Sequence, residues 1–346
     1  MTASIKNHQW RLKSRPEGRP TEENFDWVEE SVPDIKDNEI LLKVYYLSLD
    51  PYMRGRMSAA ESYADPVPVG GLMSGGTVCK VLKSNLDKFK EGDWVLSYSG
   101  WQEYAVSDGK GVTKLPDDIP KPSYALGILG MPGFTGYMGL TDIGQPQAGE
   151  TVVVAAATGP VGSTVGQVAK IKGARAIGIA GGPEKCRYAV EKFGFDECID
   201  HHADDFKEQL AKVCDKGIDV YYENVGGKVF EAVFDLLNPR ARIPLCGLVS
   251  SYNNTKDSPP SIHLNADQLM RKILTKRLTI EGFIVFNEYR EHYPAFIKQM
   301  SQWIKEDKIH VLEQVVEGGL QKAPEAFQGL LEGKNFGKIV VQVAKD

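Results

Sequence analysis

Residues Val152 to Ile171 read Val-Val-Val-Ala-Ala-Ala-Thr-Gly-Pro-Val-Gly-Ser-Thr-Val-Gly-Gln-Val-Ala-Lys-Ile, and the reading of the whole chain turns on them. The run Val152 to Ala156 has no polar face, the pattern of a strand buried on both sides of a parallel sheet. A turn of small residues follows, and then a helix expected to start near Ser163. Gly159 lets the backbone approach a pyrophosphate, while Gly162 lets the helix pack close to the strand. The motif is strictly Ala-x-Gly-x-x-Gly, with Ala157 in its first position. Set between a strand and a helix, it reads as a dinucleotide pocket whose phosphates meet the unpaired N–H groups of a helix N-terminus. The plainer alternative is an ordinary strand-to-helix turn of an α/β protein.

The next strand indicates which dinucleotide. An NAD enzyme usually carries Asp or Glu about 20 residues further on, bonded to the ribose hydroxyls. Here the chain reads Ile177-Gly178-Ile179-Ala180-Gly181-Gly182, with no acid. Pro183, Glu184, Lys185 and Arg187 follow, so a Gly-Gly turn delivers two cations to the end where a 2′-phosphate would sit. NADPH is therefore expected over NADH. Pro183 and Glu184 also open a helix, and Lys185 and Arg187 solvated on its surface is the alternative, although it leaves the missing acid unexplained.

Composition sets the bounds. The chain has 346 residues, of which 42% are hydrophobic and 25% charged, enough for two domains with their own cores. A net charge of −5 and the lack of a long basic tract give no electrostatic reason to bind nucleic acid. Residues Met1 to Trp10 show no apolar signal core, and no stretch approaches the ~20 apolar residues of a membrane span. A cytoplasmic protein without membrane attachment is expected. Cys79, Cys186, Cys198, Cys214 and Cys246 form no Cys-x-x-Cys pair, which suits a reducing compartment.

Organisation changes along the chain. Ile40 to Tyr46, Gly75 to Leu82, Trp94 to Tyr98 and Gln102 to Val106 are short, rich in Val, Tyr and Leu, and punctuated by Pro, Gly, Asp and Asn. That is the pattern of a β barrel or partial barrel. From about Ser123 strands alternate with helices. Val152 to Ala156, Ala176 to Ala180, Glu197 to Ile199, Ile218 to Tyr222, Ala241 to Leu245 and Leu278 to Ile284 read as strands, with helices such as Ser163 to Lys172 and Lys185 to Phe193 between them. An α/β fold with a doubly wound parallel sheet follows. A final helix, Lys322 to Glu332, and strand, Lys338 to Val343, suit a return to the β domain.

Several segments carry a resemblance: Leu47-Ser48-Leu49-Asp50-Pro51-Tyr52-Met53-Arg54, Gly130 to Thr135, Glu223-Asn224-Val225-Gly226-Gly227, Cys246 through Asn253, Glu281 to Val285, and Gly333 to Lys338. In this order they resemble the zinc-free double-bond reductases of the medium-chain dehydrogenase/reductase superfamily. That group holds prostaglandin reductases, leukotriene-B dehydrogenases and plant alkenal reductases, and the likeness is greatest to its bacterial branch, the NADPH-dependent curcumin reductases. The resemblance implies a GroES-like partial β-barrel, 1–125 with 315–346, beside a Rossmann domain, 126–314. It implies hydride delivery from NADPH to the β-carbon of an α,β-unsaturated ketone or aldehyde, such as curcumin or dihydrocurcumin.

No metal is expected. Where zinc enzymes of the superfamily place their first catalytic Cys, this chain has Leu49-Asp50-Pro51-Tyr52. Cys198-Ile199-Asp200-His201-His202 is the one cluster with ligand chemistry, and its place after a strand of the nucleotide domain favours cofactor contact or a solvated loop.

Carried over from the family, Gly159, Pro160, Val161, Gly162 and Ser163 hold the pyrophosphate and Lys185 meets the 2′-phosphate. Asn224, Cys246, Gly247, Leu248, Val249, Ser250, Ser251, Tyr252, Phe283, Ile284, Val285 and Asn335 line the rest of the cofactor path, some of them expected as plain core. Cys246 is expected as a small strand-end residue rather than a reactive thiol. His201 stands where many members have Tyr near the adenosine, and a charge changing near pH 6.5 is expected of it. Tyr252 is the expected catalytic residue, its phenol donating to the enolate oxygen; packing its own loop is the alternative. Tyr52, Met53, Tyr63 and Met131, with Arg54 nearby, are expected against the substrate. Gly75 and Gly76, where plant relatives carry an aromatic, suggest room for a long aryl enone. A homodimer is implied by the family alone. A quinone reductase and an NADPH-binding sensor without turnover remain as alternative functions.

Overall fold

The structure, a computed structural model, describes residues 5–345. The chain forms two compact units, one running to Gly127 and resumed from Glu313, the other Ile128–Leu312.

In the first unit β1 (Lys6–Leu12) and β2 (Phe25–Ser31) pair antiparallel. Then come β3 (Ile40–Ser48), the short helix α1 (Tyr52–Arg56), β4 (Thr77–Ser84), β5 (Trp94–Ser97), β6 (Tyr104–Ser107) and β7 (Thr113–Lys114). Strand β3 is buried along nearly its whole length because β4, β6 and the returning chain all pair with it. Strand β4 begins later than the sequence suggested. Gly75 is crowded instead: a Cβ there would lie 2.9 Å from Leu47 and 3.1 Å from Met53. The β1–β2 pair was not legible, since its buried Phe25 and half-buried Trp10 and Trp27 are interleaved with charges.

The second unit opens with α2 (Met131–Met138) and continues through β8 (Thr151–Ala155), α3 (Pro160–Ile171), β9 (Arg175–Ala180), α4 (Pro183–Phe193), β10 (Glu197–Asp200), α5 (Phe206–Val213), β11 (Ile218–Tyr222), α6 (Gly227–Leu236), β12 (Leu237–Leu245), α7 (Ala266–Lys276), β13 (Thr279–Gly282), α8 (Val285–Glu288) and α9 (Tyr293–Lys305). Its strands run parallel in the order β10-β9-β8-β11-β12-β13. That is a Rossmann sheet, reversing direction between β8 and β11, and in such sheets ligands bind at the carboxyl ends beside the reversal. Val152, Val153 and Val154 are completely buried at the centre, as their uniform apolarity required.

Both α3 and α4 start at a proline, three and two residues before the expected Ser163 and Lys185, because Pro suits the first helical position. Strand β13 stops at Gly282 rather than Ile284. The Ile284 N–H donates to Glu288 Oε2 at 2.7 Å, which turns the chain into α8.

The chain then returns to the first unit through β14 (Glu313–Val316), α10 (Ala323–Leu331) and β15 (Lys338–Gln342), with β15 antiparallel to β3. The sheet order there is β14-β15-β3-β4-β5-β7, with β6 also on β3. Fold class thus agrees with the sequence reading.

Candidate cofactor and active site

Directly after β8, Ala156 takes a left-handed conformation (φ 55°) that aims its carbonyl into the turn, where it accepts the Gly159 N–H at 2.9 Å. A Cβ on Gly162 would lie 2.2 Å from that same oxygen, so only glycine lets α3 start here. Two expected phosphate ligands need correction. Pro160 has no N–H, and the Ser163 N–H donates to Gly159 O at 2.9 Å. Val161 and Gly162 are left as the first-turn donors without a partner inside the helix.

At the end of β9, Gly182 has φ 95°, and its N–H donates to Asp200 Oδ1 at 2.8 Å. The same oxygen accepts the His202 N–H at 2.9 Å. A carboxylate therefore does reach this turn, from β10 rather than β9. Burial works against its charge, but those two N–H bonds hold it below its ordinary range. It is committed to the backbone. Lys185 stands half-buried in the first turn of α4, where burial lowers the pKa of its ammonium.

His201 behaves differently from expectation. Burial, with the neighbouring His202 ring and Lys228 charge, lowers its pKa to about 4, so the imidazole is neutral at physiological pH and no charge change near pH 6.5 follows. Its Nδ1 is buried with no hydrogen-bond partner among the described residues. Lys228 Nζ donates to the His201 carbonyl at 2.7 Å, adding a cation that sequence reasoning missed. A signal was present: Lys228 lies in the first turn of α6, where a helix dipole disfavours positive charge.

At the end of β11, Glu223 clamps the next turn, its Oε1 accepting the Val225 N–H at 2.6 Å and the Gly226 N–H at 2.8 Å. Burial raises its pKa to about 7. Asn224 Nδ2 donates to Ala155 O at 2.9 Å, joining the ends of β11 and β8. The segment after β12 is fixed onto this turn by Val249 N–H to Asn224 O (3.2 Å) and Ser250 Oγ to Val225 O (2.6 Å). Tyr252 folds back over Gly247, and its hydroxyl accepts the Leu248 N–H at 3.4 Å. Cys246 is pushed up to about 12 by burial, so its thiol stays protonated. The ring of Phe283 is core: a Cβ on Gly139 would meet it at 2.6 Å, beside the Tyr222 hydroxyl. Val285 is likewise buried, Ile284 is half-buried, and Met131 is half-buried at the start of α2.

In the first unit Tyr52 is half-buried, its hydroxyl held well above the ordinary range by burial and then by the Asp50 charge. Arg56 lies 4.9 Å from the ring of Tyr63, which is exposed. Met53 corrects the substrate expectation, being completely buried in the core with Leu47 and Trp101. Arg54 is structural too, its Nη2 donating to Gly18 O at 2.8 Å. Asn335 Nδ2 donates to Gly337 O at 2.9 Å, which commits part of its amide locally.

No group of three or more His, Cys, Asp or Glu among the described residues converges as a metal ligand set. A phosphorylated dinucleotide does fit: Gly162 marks a cradle that a side chain would fill, the orphaned His201 nitrogen lies beside the second turn, and Lys185 and Lys228 supply positive charge there.

Comparison with known proteins agrees. Residues 8–115 match the family described as the N-terminal domain of oxidoreductase, and 160–302 match that described as zinc-binding dehydrogenase. The chain is 58% identical to the NADPH-dependent curcumin reductase of Escherichia coli (strain K12), covering 99% of this chain and 98% of that protein. It is 39% identical to the NADP(+)-dependent 2-alkenal reductase of Nicotiana tabacum, covering 100% of both. The crystal structure of CurA from Vibrio vulnificus in complex with NADPH superposes with a TM-score of 0.94 at 57% identity, covering 98% of this chain and 100% of that one. The chain belongs to the NADPH-dependent double-bond reductases of the medium-chain dehydrogenase/reductase superfamily.

Proposed function

We propose that this protein reduces the conjugated C=C bond of α,β-unsaturated ketones and aldehydes, long aryl enones such as curcumin and dihydrocurcumin among them. The observation that carries this reading is the convergence, at the carboxyl edge of one sheet, of the Ala156–Gly162 cradle, the cation-lined second turn and the fixed Tyr252 loop. When bound, NADPH supplies the hydride. The Val161 and Gly162 N–H groups would hold its pyrophosphate, with Lys185 and Lys228 at the 2′-phosphate and neutral His201 against the adenosine. Negative charge develops on the substrate carbonyl oxygen as the β-carbon is reduced. Tyr252 donates its hydroxyl proton in a hydrogen bond to that oxygen, stabilising the charge where it forms.

Gly75 gives no extra room for the substrate, because Leu47, Met53 and Trp101 already fill the space beside it. A Cβ on Gly76 would meet nothing closer than 3.6 Å, so the preference for a long enone rests on that position with Tyr52 and Tyr63. The working unit is a homodimer of the cytoplasm, joined along the edge strand β13; Met270 and Leu274 stand exposed on α7 nearby in sequence. All five cysteines are unpaired, and among the described residues no helix is long and apolar enough to cross a membrane.

The test is NADPH consumption, followed by absorbance in chelator-treated buffer, with curcumin, a small alkenal, a quinone and a saturated ketone. Turnover of the conjugated carbonyls but not of the saturated ketone is expected. Turnover of the quinone alone would make the protein a quinone reductase, and tight NADPH binding with no turnover would make it a sensor.

A further inference from the structure

Asp200 closes β10 and ties together two turns that follow neighbouring strands. Its Oδ1 accepts the Gly182 N–H at 2.8 Å, from the turn after β9, and the His202 N–H at 2.9 Å, from the turn after β10. Gly182 is the residue on which α4 begins: it holds φ 95°, its carbonyl accepts the Cys186 N–H at 3.3 Å, and Lys185 follows in the first turn. The two turns also touch directly. A Cβ on Gly181 would lie 3.0 Å from His202 Cε1 and 3.2 Å from His201 Nε2, so both imidazoles rest against that glycine. Lys228 Nζ, from the first turn of α6, donates to the His201 carbonyl at 2.7 Å. Asp200 is thus the joint between the backbone that bears Lys185 and the backbone that bears His201 and His202.

We propose that Asp200 is a positioning residue for cofactor selection: one carboxylate oxygen sets the spacing of the two turns that receive a 2′-phosphate, and so favours NADPH over NADH. This rests on the NADPH reading of that end of the sheet. An acid after the second strand of a Rossmann sheet ordinarily does the reverse, because it bonds the ribose hydroxyls, and its charge repels a phosphate placed there. Here the acid comes one strand later, and the oxygen that could reach for a hydroxyl already has two backbone donors. Hydrogen bonds to an ionised acceptor are the stronger kind, and both N–H groups would lose their partner with the carboxylate. Gly182 has no side chain to fix its left-handed backbone, so the bond to Asp200 is what holds the start of α4. An acid that would select against the 2′-phosphate becomes the support of the cations that select for it.

The experiment titrates the full-length parent, Asp200→Ala and Asp200→Asn with NADPH and with NADH by fluorescence, and records Tm for each. Asp200→Ala should bind NADPH about tenfold more weakly, the size of one charge-assisted hydrogen bond, and NADH nearly as the parent does. Asp200→Asn keeps an oxygen for both N–H groups and removes the negative charge, so it should bind NADPH at least as tightly as the parent and restore the preference. Equal losses of the two nucleotides in Asp200→Ala, an unchanged preference there, or an asparagine variant as weak as the alanine one would each overturn the proposal. If Tm shows that Asp200→Ala does not fold, Asp200→Ser takes its place with the same expectation, since its shorter side chain cannot serve both N–H groups. A parent with no preference for NADPH would sink the cofactor reading and this proposal together, whereas a parent that prefers NADPH beside an alanine variant that prefers it equally sinks the proposal alone.

Discussion

Lys185 and Tyr252 carry separate parts of the proposed reaction, so their variants should fail in different ways. In the proposed reading, removing the Lys185 ammonium takes a partner from the 2′-phosphate, which NADH lacks. Lys185→Ala is expected to weaken NADPH binding about tenfold or more and NADH binding hardly at all, measured by titration with both nucleotides. Equal losses would remove Lys185 from the 2′-phosphate. Tyr252→Phe keeps the ring but loses the hydroxyl that reaches Gly247 and Leu248, so kcat for an enone should fall about 10²-fold or more while NADPH affinity holds. An unchanged kcat would leave Tyr252 as loop packing. Gly162 shows what a single position discloses: its place in the motif was plain from sequence, but its neighbour, the Ala156 carbonyl, was not. That contact depends on a left-handed alanine, which residue type does not announce.

Helix α3 depends on a second glycine that the motif does not include. Gly166 lies against Phe195, and a Cβ would sit 1.9 Å from the ring edge, so the helix and the segment leading into β10 can approach only without a side chain. Gly166→Ala should therefore cost about 1–3 kcal/mol of stability by overpacking, seen as a lower Tm. The β11 turn offers a pH test. The pKa of Glu223 is raised from its ordinary 4.5 to about 7 by burial, so the unfolded chain gives up its proton first as pH rises. Stability from this group is full below pH 4.5 and lost as pH climbs through about 7, a loss of about 3 kcal/mol. Glu223→Gln keeps an acceptor for Val225 and Gly226, and denaturant unfolding at several pH values should show that slope flattened and the variant more stable than its parent in mildly alkaline buffer. A slope unchanged in the variant would place the titration elsewhere. The elements most legible in sequence were the buried parallel strands, because both faces had to be apolar. What stayed hidden was side-chain commitment: Asp200 reaching the β9 turn, Lys228 reaching His201, and Met53 turning into the core, all decided by neighbours distant in sequence.

Over the whole molecule, alternating strands and helices identified the nucleotide unit, and a short terminal pattern was enough to send the chain back to the first. What sequence could not show was how that return is fastened. Lys338 Nζ is buried between Leu49 O at 2.9 Å and Asp50 Oδ1 at 2.7 Å, and Asp50 also accepts the Ser48 hydroxyl. Lys338→Met strands the Asp50 charge, so the first unit should lose about 3–5 kcal/mol in denaturant unfolding, with NADPH affinity as the control on the second. A change below about 1 kcal/mol would mean the pair is no more than a surface-like contact.

Strand β15 lies inside its sheet, between β14 and β3, although the whole nucleotide unit precedes it in the chain. On the ribosome, β1 to β7 must therefore wait with an unfilled place beside β3 while the continuous nucleotide unit is synthesised behind them and is free to fold first. The strands made before the nucleotide unit are thus completed only after it, and a chain released before Lys338 would carry a completed cofactor unit and an open β edge, the kind of edge that pairs with other chains.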